Sequence, residues 1–168
     1  MNNFETPRLT LRPFTSDDFE VLHKIFTDPF VREYLWDDEV IPESQTHDIL
    51  KINKEQFAKE HSGLWAMSEM GKDEIFGFVG LWYFFSEVQP QLLYGLIPEF
   101  AHKGYATEAS EKIIEYAFNE LGFDHIIAST DEPHKASTAV LKRLDFAFVE
   151  QKNMDGLETL FFRLDKDT

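Results

Sequence analysis

The stretch "EFAHKGYATEAS", Glu99 to Ser110, decides how this chain is read. It follows the apolar run "QLLYGLIP" and leads into a long segment of helical periodicity. A strand that ends here and a helix that starts at once leave two small residues, Gly104 and Ala106, at the join. A helix N-terminus carries free N–H groups and a partial positive charge, so it attracts phosphate. Residues without bulk let a ligand reach that backbone. Lys103 adds a charge and Thr107 a hydroxyl. The same residues also read as a glycine that permits a tight turn into a well-packed helix. The spacing is neither a Walker loop, which needs Gly-Lys-Ser/Thr, nor the dinucleotide pattern G-x-G-x-x-G.

The surroundings set the fold. "LTLR", Leu9 to Arg12, alternates as a short strand ended by Pro13. "TSDDFEVLHKIFTDP" reads as a helix capped by Thr15 or Ser16, with Phe19, Leu22, Ile25 and Phe26 on one face and Pro29 as its stop. "FVREYLWDDEVIP" reads as a loop with one helical turn. A second helix is expected from Pro42 toward His61, with Ile49, Ile52, Gln56 and Phe57 as its stripe. Three strands follow: Leu64 to Met70, Ile75 to Phe85 and Leu92 to Pro98, as an antiparallel meander. The glycines in the second of these suggest a bulge or close backbone contact. A helix from Lys103 to Leu121 presents Ala106, Ala109, Ser110, Ile113 and Ala117 on one face and ends at Gly122. "HIIAST" looks like a buried strand of the parallel type. A helix from Lys135 to Leu144 and a hairpin around Asp155-Gly156 complete the chain. The expected order is β-α-α-β-β-β-α-β-α-β-β. This is a mixed α/β fold, with a mostly antiparallel central sheet flanked by helices and one domain over residues 1–168.

Composition narrows the function. The chain has 168 residues, 43 % of them hydrophobic and 15 % aromatic, which suits a packed core rather than a disordered chain. It contains no cysteine, so disulfides, thiolate metal sites and a cysteine nucleophile are excluded. The histidines show no metal-ligand spacing, and no metal is expected. The N-terminus lacks a basic region followed by an apolar one, and no apolar run is long enough to span a bilayer. A cytoplasmic location without membrane association is expected. The net charge of −15 repels nucleic acid and attracts cations such as amines or basic peptides. "WDDE", Trp36 to Glu39, is the sharpest acidic cluster, either lining a cation-binding cleft or forming a solvated loop.

With these elements in place, the sequence resembles the GNAT superfamily of acyl-CoA-dependent N-acetyltransferases, in the branch similar to RimJ and RimL, which acetylate ribosomal-protein N-termini. The family's pyrophosphate loop has the form Q/R-x-x-G-x-G/A, and here the six positions are Ala101 to Ala106. "PEFAHKGYATEA" resembles the branch's "P-E-x-W-G-K-G-Y-A-T-E-A". "ETPRLTLRPFTSDDFEVLHKIFTDPFV" resembles its opening strand and helix. "TDEPHKASTAVLKRLDFAFVE" resembles its "P-x-N-x-x-S-x-x-V-L-x-K-L-G-F". The chain departs from the pattern at Ala101, at His134 in place of Asn, at Asp145 in place of Gly, and at Lys142, where some branches carry an acidic Tyr.

The resemblance implies acetyl-CoA as cosubstrate and direct transfer of acetyl to a primary amine in a ternary complex. The acceptor would be a protein N-terminus or a small amine, cationic molecule or peptide, and a homodimer is the assembly to test. His102, Lys103, Gly104, Tyr105, Ala106 and Thr107 would hold the pyrophosphate. Gly95, Leu96 and Ile97 would offer backbone groups to the pantetheine arm and the acyl carbonyl. His134 would bind the cosubstrate, and Ser137 would meet the departing thiolate as its acid or else serve helix packing. No general base stands out: Glu87, Tyr94 and Asp131 fall near the cleft by order but read as structural or solvated. Trp36, Trp82 and Tyr83 are candidate walls of the acceptor pocket or core aromatics. A non-catalytic acyl-CoA-binding module remains the alternative. An acyl-CoA hydrolase is disfavoured, because no nucleophile with a paired base is visible.

Overall fold

Leu9 and Leu11 alternate with half-exposed Thr10 and Arg12 and are fully buried, which makes the first long strand (β2, Leu9–Pro13) an amphipathic one. The two-residue strand before it (β1, Phe4–Glu5) was too short to show in the sequence. The computed structural model describes residues 2–36, 38–85, 87–131 and 134–167. Among these, the expected order of elements is present, with β1 and one helix added.

That helix corrects the reading of Pro29 as a stop. The first helix (α1, Phe19–Thr27) buries Leu22, Ile25 and Phe26 and ends before Asp28. The Asp28 side chain then accepts the Phe30 N–H at 2.9 Å, and Pro29 takes the first helical position, where its missing N–H costs nothing. A second helix (α2, Pro29–Leu35) therefore starts where a loop was expected. Asp37, within the acidic cluster, lies outside the described residues.

The third helix (α3, Glu43–Glu60) has the expected span and buries Ile49 and Gln56 as expected, but not Ile52. Ile52 is 49 % exposed, whereas Asn53 and Gln56 are buried. Asn53 accepts the Leu64 N–H at 2.7 Å and donates to Phe14 O at 3.2 Å. Gln56 donates to Leu81 O at 2.9 Å. These amides satisfy strand ends that would otherwise be buried unpaired.

The meander forms as expected from β3 (Leu64–Glu69), β4 (Ile75–Trp82) and β5 (Gln91–Leu96). β4 stops at Trp82, short of Phe85, and its glycines mark close backbone contact: a Cβ on Gly80 would stand 2.0 Å from Gly63 O. The fourth helix (α4, Tyr105–Asn119) buries Ala109, Ser110, Ile113, Ile114 and Ala117.

β6 (His125–Asp131) is not the parallel strand expected. Its burial alternates, and it pairs antiparallel with β8 (Leu157–Asp165), which pairs in turn with β7 (Ala147–Met154). The β7–β8 turn is Asp155-Gly156, both at positive φ, as that pair predicts. The fifth helix (α5, Lys135–Arg143) precedes this hairpin. Two sheets result, in the order β1-β2-β3-β4-β5 and β6-β8-β7.

No ladder joins β5 to β6 among the described residues. Side chains bridge one end instead: Ser129 donates to Gln91 at 2.7 Å, and Gln89 donates to His125 O at 2.7 Å. One core lies against α4 and α5, and a second gathers α1, α2 and α3 around Phe78. The gap between the sheets opens toward the ends of β5 and β6 where the candidate loops begin.

Candidate active site

A cleft of about 600 Å³ fills that gap, well within the usual range for small-molecule sites. Its lining comes from both faces: α4 and α5 on one, α2 on the other, with β5 and β6 between. It includes Gly95, Leu96, His102, Gly104, Tyr105, Ala106, Thr107, His134 and Ser137. Ile97 and Lys103 are not part of it.

The α4 end is built for an anion. Gly104 caps the helix in the left-handed region at φ 80, with no side chain capping the first N–H groups. His102, also left-handed at φ 62, turns the chain before it. Thr107 Oγ1 is buried with no hydrogen-bond partner. Ser110 Oγ and Trp36 Nε1 share that state, but neither residue lines the cleft. An orphaned hydroxyl beside open helix N–H groups is the kind of donor set that an anion can satisfy. Lys103 does not point into this end: its ammonium stands over the Phe100 ring at 5.4 Å.

Arg8 holds this loop, a role the sequence did not reveal. Its Nη1 donates to Lys103 O at 2.7 Å, its Nε to Glu108 at 2.7 Å, and its guanidinium lies 4.6 Å from the Tyr105 ring centre. Glu108 also accepts from Thr6 and from the Arg8 N–H, and these bonds keep its carboxyl below the ordinary range despite burial. Tyr105 reaches Glu69 through its hydroxyl at 2.5 Å.

In the middle of the cleft, β5 presents backbone rather than side-chain chemistry. Ile97 donates its N–H to Phe76 O at 3.0 Å, so that group is engaged in the sheet. In an antiparallel ladder, alternate residues face the partner strand. Gly95 therefore also turns its backbone groups toward β4, while Tyr94 and Leu96 turn theirs to the open edge facing β6.

Tyr94 also supplies a side chain. Its hydroxyl lies 2.8 Å from Ser137 Oγ and 3.1 Å from Ser137 O, which joins β5 to the first turn of α5 across the gap. Burial pushes the Tyr94 pKa up to about 12, while the Ser137 bond works the other way. The phenol therefore stays protonated near neutrality; its hydrogen can go to Ser137 O, and in the contact with Ser137 Oγ either oxygen can be the donor. A phenol that donates to Ser137 Oγ leaves the serine O–H directed elsewhere, and Ser137 lines the cleft.

His134 precedes α5 and lines the cleft, with Nδ1 at 3.4 Å from Thr130 Oγ1. Burial lowers its pKa below the ordinary 6.5, which favours the neutral ring. Asp131 also lines the cleft, whereas Glu87 does not and instead accepts from the Phe85 N–H and Gln91.

A family model described as an acetyltransferase (GNAT) domain matches residues 8–147. This chain is a GNAT acetyltransferase. An uncharacterized N-acetyltransferase, p20 of Bacillus licheniformis, is 27 % identical over 147 residues, 87 % of this chain and 83 % of that protein. Among solved structures, an acetyltransferase from Agrobacterium tumefaciens superposes with a TM-score of 0.87 at 19 % identity, covering 99 % of this chain and 95 % of that one. RimL, a ribosomal L7/L12 α-N-protein acetyltransferase crystallised with coenzyme A, gives a TM-score of 0.82 at 13 % identity over 98 % of both chains. The GNAT acetyltransferase is thus an N-acetyltransferase that takes its acetyl group from acetyl-CoA. No helix among its described residues is long and apolar enough to cross a membrane.

Much of the GNAT cleft away from the α4 residues is lined by apolar side chains. Phe30 and Leu35 of α2, Phe84 and Phe85 after β4, and Met154 and Leu157 of the β7–β8 hairpin line it. The aromatics proposed from sequence are elsewhere. Trp36 and Trp82 pack on the α1–α3 core, and Tyr83 bonds Glu60. The acidic cluster is also elsewhere: neither Trp36, Asp38 nor Glu39 lines the cleft, and Asp38 pairs with Arg32 at 3.1 Å.

Proposed function

We propose that this cleft holds acetyl-CoA with its pyrophosphate at the α4 N-terminus and its thioester beside Leu96 and Ser137, and passes acetyl directly to a primary amine. The observation that carries the reading is Thr107: its unpaired buried hydroxyl and the uncapped turn of α4 open onto the same cleft as the Tyr94–Ser137 pair. His102, Gly104, Tyr105, Ala106 and Thr107 surround the diphosphate, and Lys103 adds long-range charge. Gly95, whose bare Cα leaves room for the Phe78 ring, shapes the wall beside the arm, and Ile97 fixes the strand through its bond to Phe76. His134 contacts the arm through its neutral ring.

The Leu96 N–H, on the open edge of β5, polarises the acyl oxygen. The amine nitrogen forms a bond to the acyl carbon, and the carbon–sulfur bond breaks. The proton released by nitrogen ends on sulfur. A phenol near pKa 12 does not give its proton to a thiolate whose acid lies near 8.5. Ser137, backed by Tyr94, therefore stabilises the departing sulfur by hydrogen bonding and relays the amine's proton. Holding both reactants in one cleft supplies much of the remaining rate.

The acceptor is a protein N-terminus, in the manner of the RimJ and RimL branch, or a small amine. We take residues 1–168 as one domain that carries this activity, in the cytoplasm where its cosubstrate is made. Self-association through β7, an exposed edge strand bearing Phe148 and Val149, is testable by sedimentation. Calorimetric titration with acetyl-CoA, followed by thiol release against amines and N-terminal peptides, tests the whole reading. Binding that survives Gly104→Val unchanged in a folded protein removes the diphosphate site, since valine cannot adopt that φ without strain of about 1–2 kcal/mol.

A further inference from the structure

We infer that the acceptor end of the cleft takes a primary amine carried on an aromatic or branched aliphatic group, and that the apolar wall itself delivers the amine uncharged. The inference rests on the transfer reading above. Its first observation is the apolar lining: Phe30, Leu35, Phe84, Phe85, Met154 and Leu157, from three separate segments, all line the cleft. Phe30 is 47 % exposed, Phe84 38 %, Phe85 36 % and Leu157 39 %, so large apolar side chains stand open to solvent. Ring contacts link Phe84 to Phe85 and Phe85 to Phe161, at 6.4 and 6.1 Å, which holds the wall together. Such a surface gains about 25 cal/mol for each Å² that a carbon skeleton covers. It offers nothing to a hydrated ammonium.

The second observation is where the acid is. The chain carries a net charge of −15, yet Asp131 and Asp155 are the carboxylates in the lining among the described residues, and Arg143 lies there too. A polyamine or an amino sugar bearing several ammonium groups needs a carboxylate near each of them. The cleft does not provide that many.

The third observation concerns removal of the amine's proton. Asp131, Asp155, His102 and His134 are the carboxylates and histidines in the lining among the described residues, and burial makes His134 a weaker base than a free imidazole. An ammonium moved against an apolar wall loses hydration, and desolvation lowers an amine's pKa. The acceptor gives its first proton to bulk water on entry and attacks as the free amine. A polar acceptor would stay charged in the same place.

The test uses four amines on the full chain: 2-phenylethylamine and 3-methylbutylamine against spermidine and kanamycin. Each is read by calorimetric binding to the protein loaded with coenzyme A, and by thiol release with acetyl-CoA. The two apolar amines are expected to bind at least about tenfold more tightly, as covering a ring or branched chain implies. Phe84→Ser and Phe85→Ser, both at exposed positions, should each remove most of that preference while coenzyme A binding is unchanged. Equal or tighter binding of spermidine or kanamycin overturns the inference, as does a preference that survives both substitutions. Apolar amines that bind by this margin without thiol release support the acceptor class and remove the transfer reading instead.

Discussion

Tyr94 and Ser137 meet with their oxygens 2.8 Å apart, across a gap that no backbone hydrogen bond spans among the described residues. The tyrosine comes from the last strand of one sheet and the serine from the helix before the closing hairpin of the other. Removing one partner separates their roles. Tyr94→Phe keeps the ring and loses the donor, so kcat should fall about tenfold, the worth of one good hydrogen bond. The KM for acetyl-CoA should hardly move. Ser137→Ala should lower kcat at least as far, and the double variant should be little worse than Ser137→Ala alone, since the tyrosine acts through the serine. Losses that simply add in steady-state kinetics would disprove the relay.

Thr107 allows a test in which binding and stability part company. Thr107→Val replaces an unpaired buried hydroxyl with a methyl of similar shape. Leaving a buried donor unsatisfied costs about 1–3 kcal/mol, so the free protein should melt no lower and by a few degrees higher. Coenzyme A affinity should drop about tenfold, because a hydrogen bond to a charged group is lost. Calorimetry and thermal melts on the same samples decide it, and equal losses in both would assign Thr107 to packing.

Arg8 should behave as a positioning residue. Arg8→Ala removes the bonds to Lys103 O and Glu108 together. Coenzyme A affinity should fall about three- to tenfold even though Arg8 does not line the cleft. Arg8→Lys should not restore it, because a single ammonium cannot serve both acceptors and the Tyr105 face at once. Full rescue by lysine would reduce Arg8 to a simple surface charge.

His134 sets an acid limit. Its folded pKa lies below the ordinary 6.5, so burial favours the neutral ring. The group's contribution to stability is present above 6.5 and is lost as pH falls through the depressed folded value. Denaturation midpoints should therefore decline from neutrality toward pH 5 more steeply in the wild type than in His134→Asn, where nothing titrates at this position. NMR titration of the ring should give a midpoint below 6.5. A midpoint at or above that value refutes the burial argument.

Much of the fold was legible because its signals are local. The meander, α4 and the Asp155-Gly156 hairpin follow from periodicity and turn chemistry within a few residues. Pro29 misled because proline both stops one helix and suits the first turn of the next, and only the Asp28 cap decides. Gln56 falls on the stripe by spacing, but Asn53 does not, and the burial of both amides depends on strand ends that fold from other parts of the chain. β6 read as parallel from its apolar run, but its neighbour β8 lies some thirty residues later.

The site divides the same way. The loop proposed for the diphosphate is one continuous segment, so its residues can be named from the sequence alone. Tyr94 finds its partner 43 residues away, and Arg8 reaches Lys103 across 95, so neither pairing leaves a mark in the local sequence. The aromatic lining of the cleft falls two positions beyond the pair named from sequence. The chain turns after Trp82, and Phe84 and Phe85, not Trp82 and Tyr83, face the cleft.

The unlinked edge between β5 and β6 makes the molecule a body with a seam. Among the described residues, side-chain hydrogen bonds cross it from Gln89 to His125, Gln91 to Ser129 and Tyr94 to Ser137, and the Phe85 ring meets Phe161. A cosubstrate bound there, as proposed, would act as mortar between two leaves, drawing β6, α5 and the last hairpin toward the five-stranded leaf without new backbone pairing. Releasing it would let the smaller leaf breathe, and the same loosening that frees one product would admit the next cosubstrate.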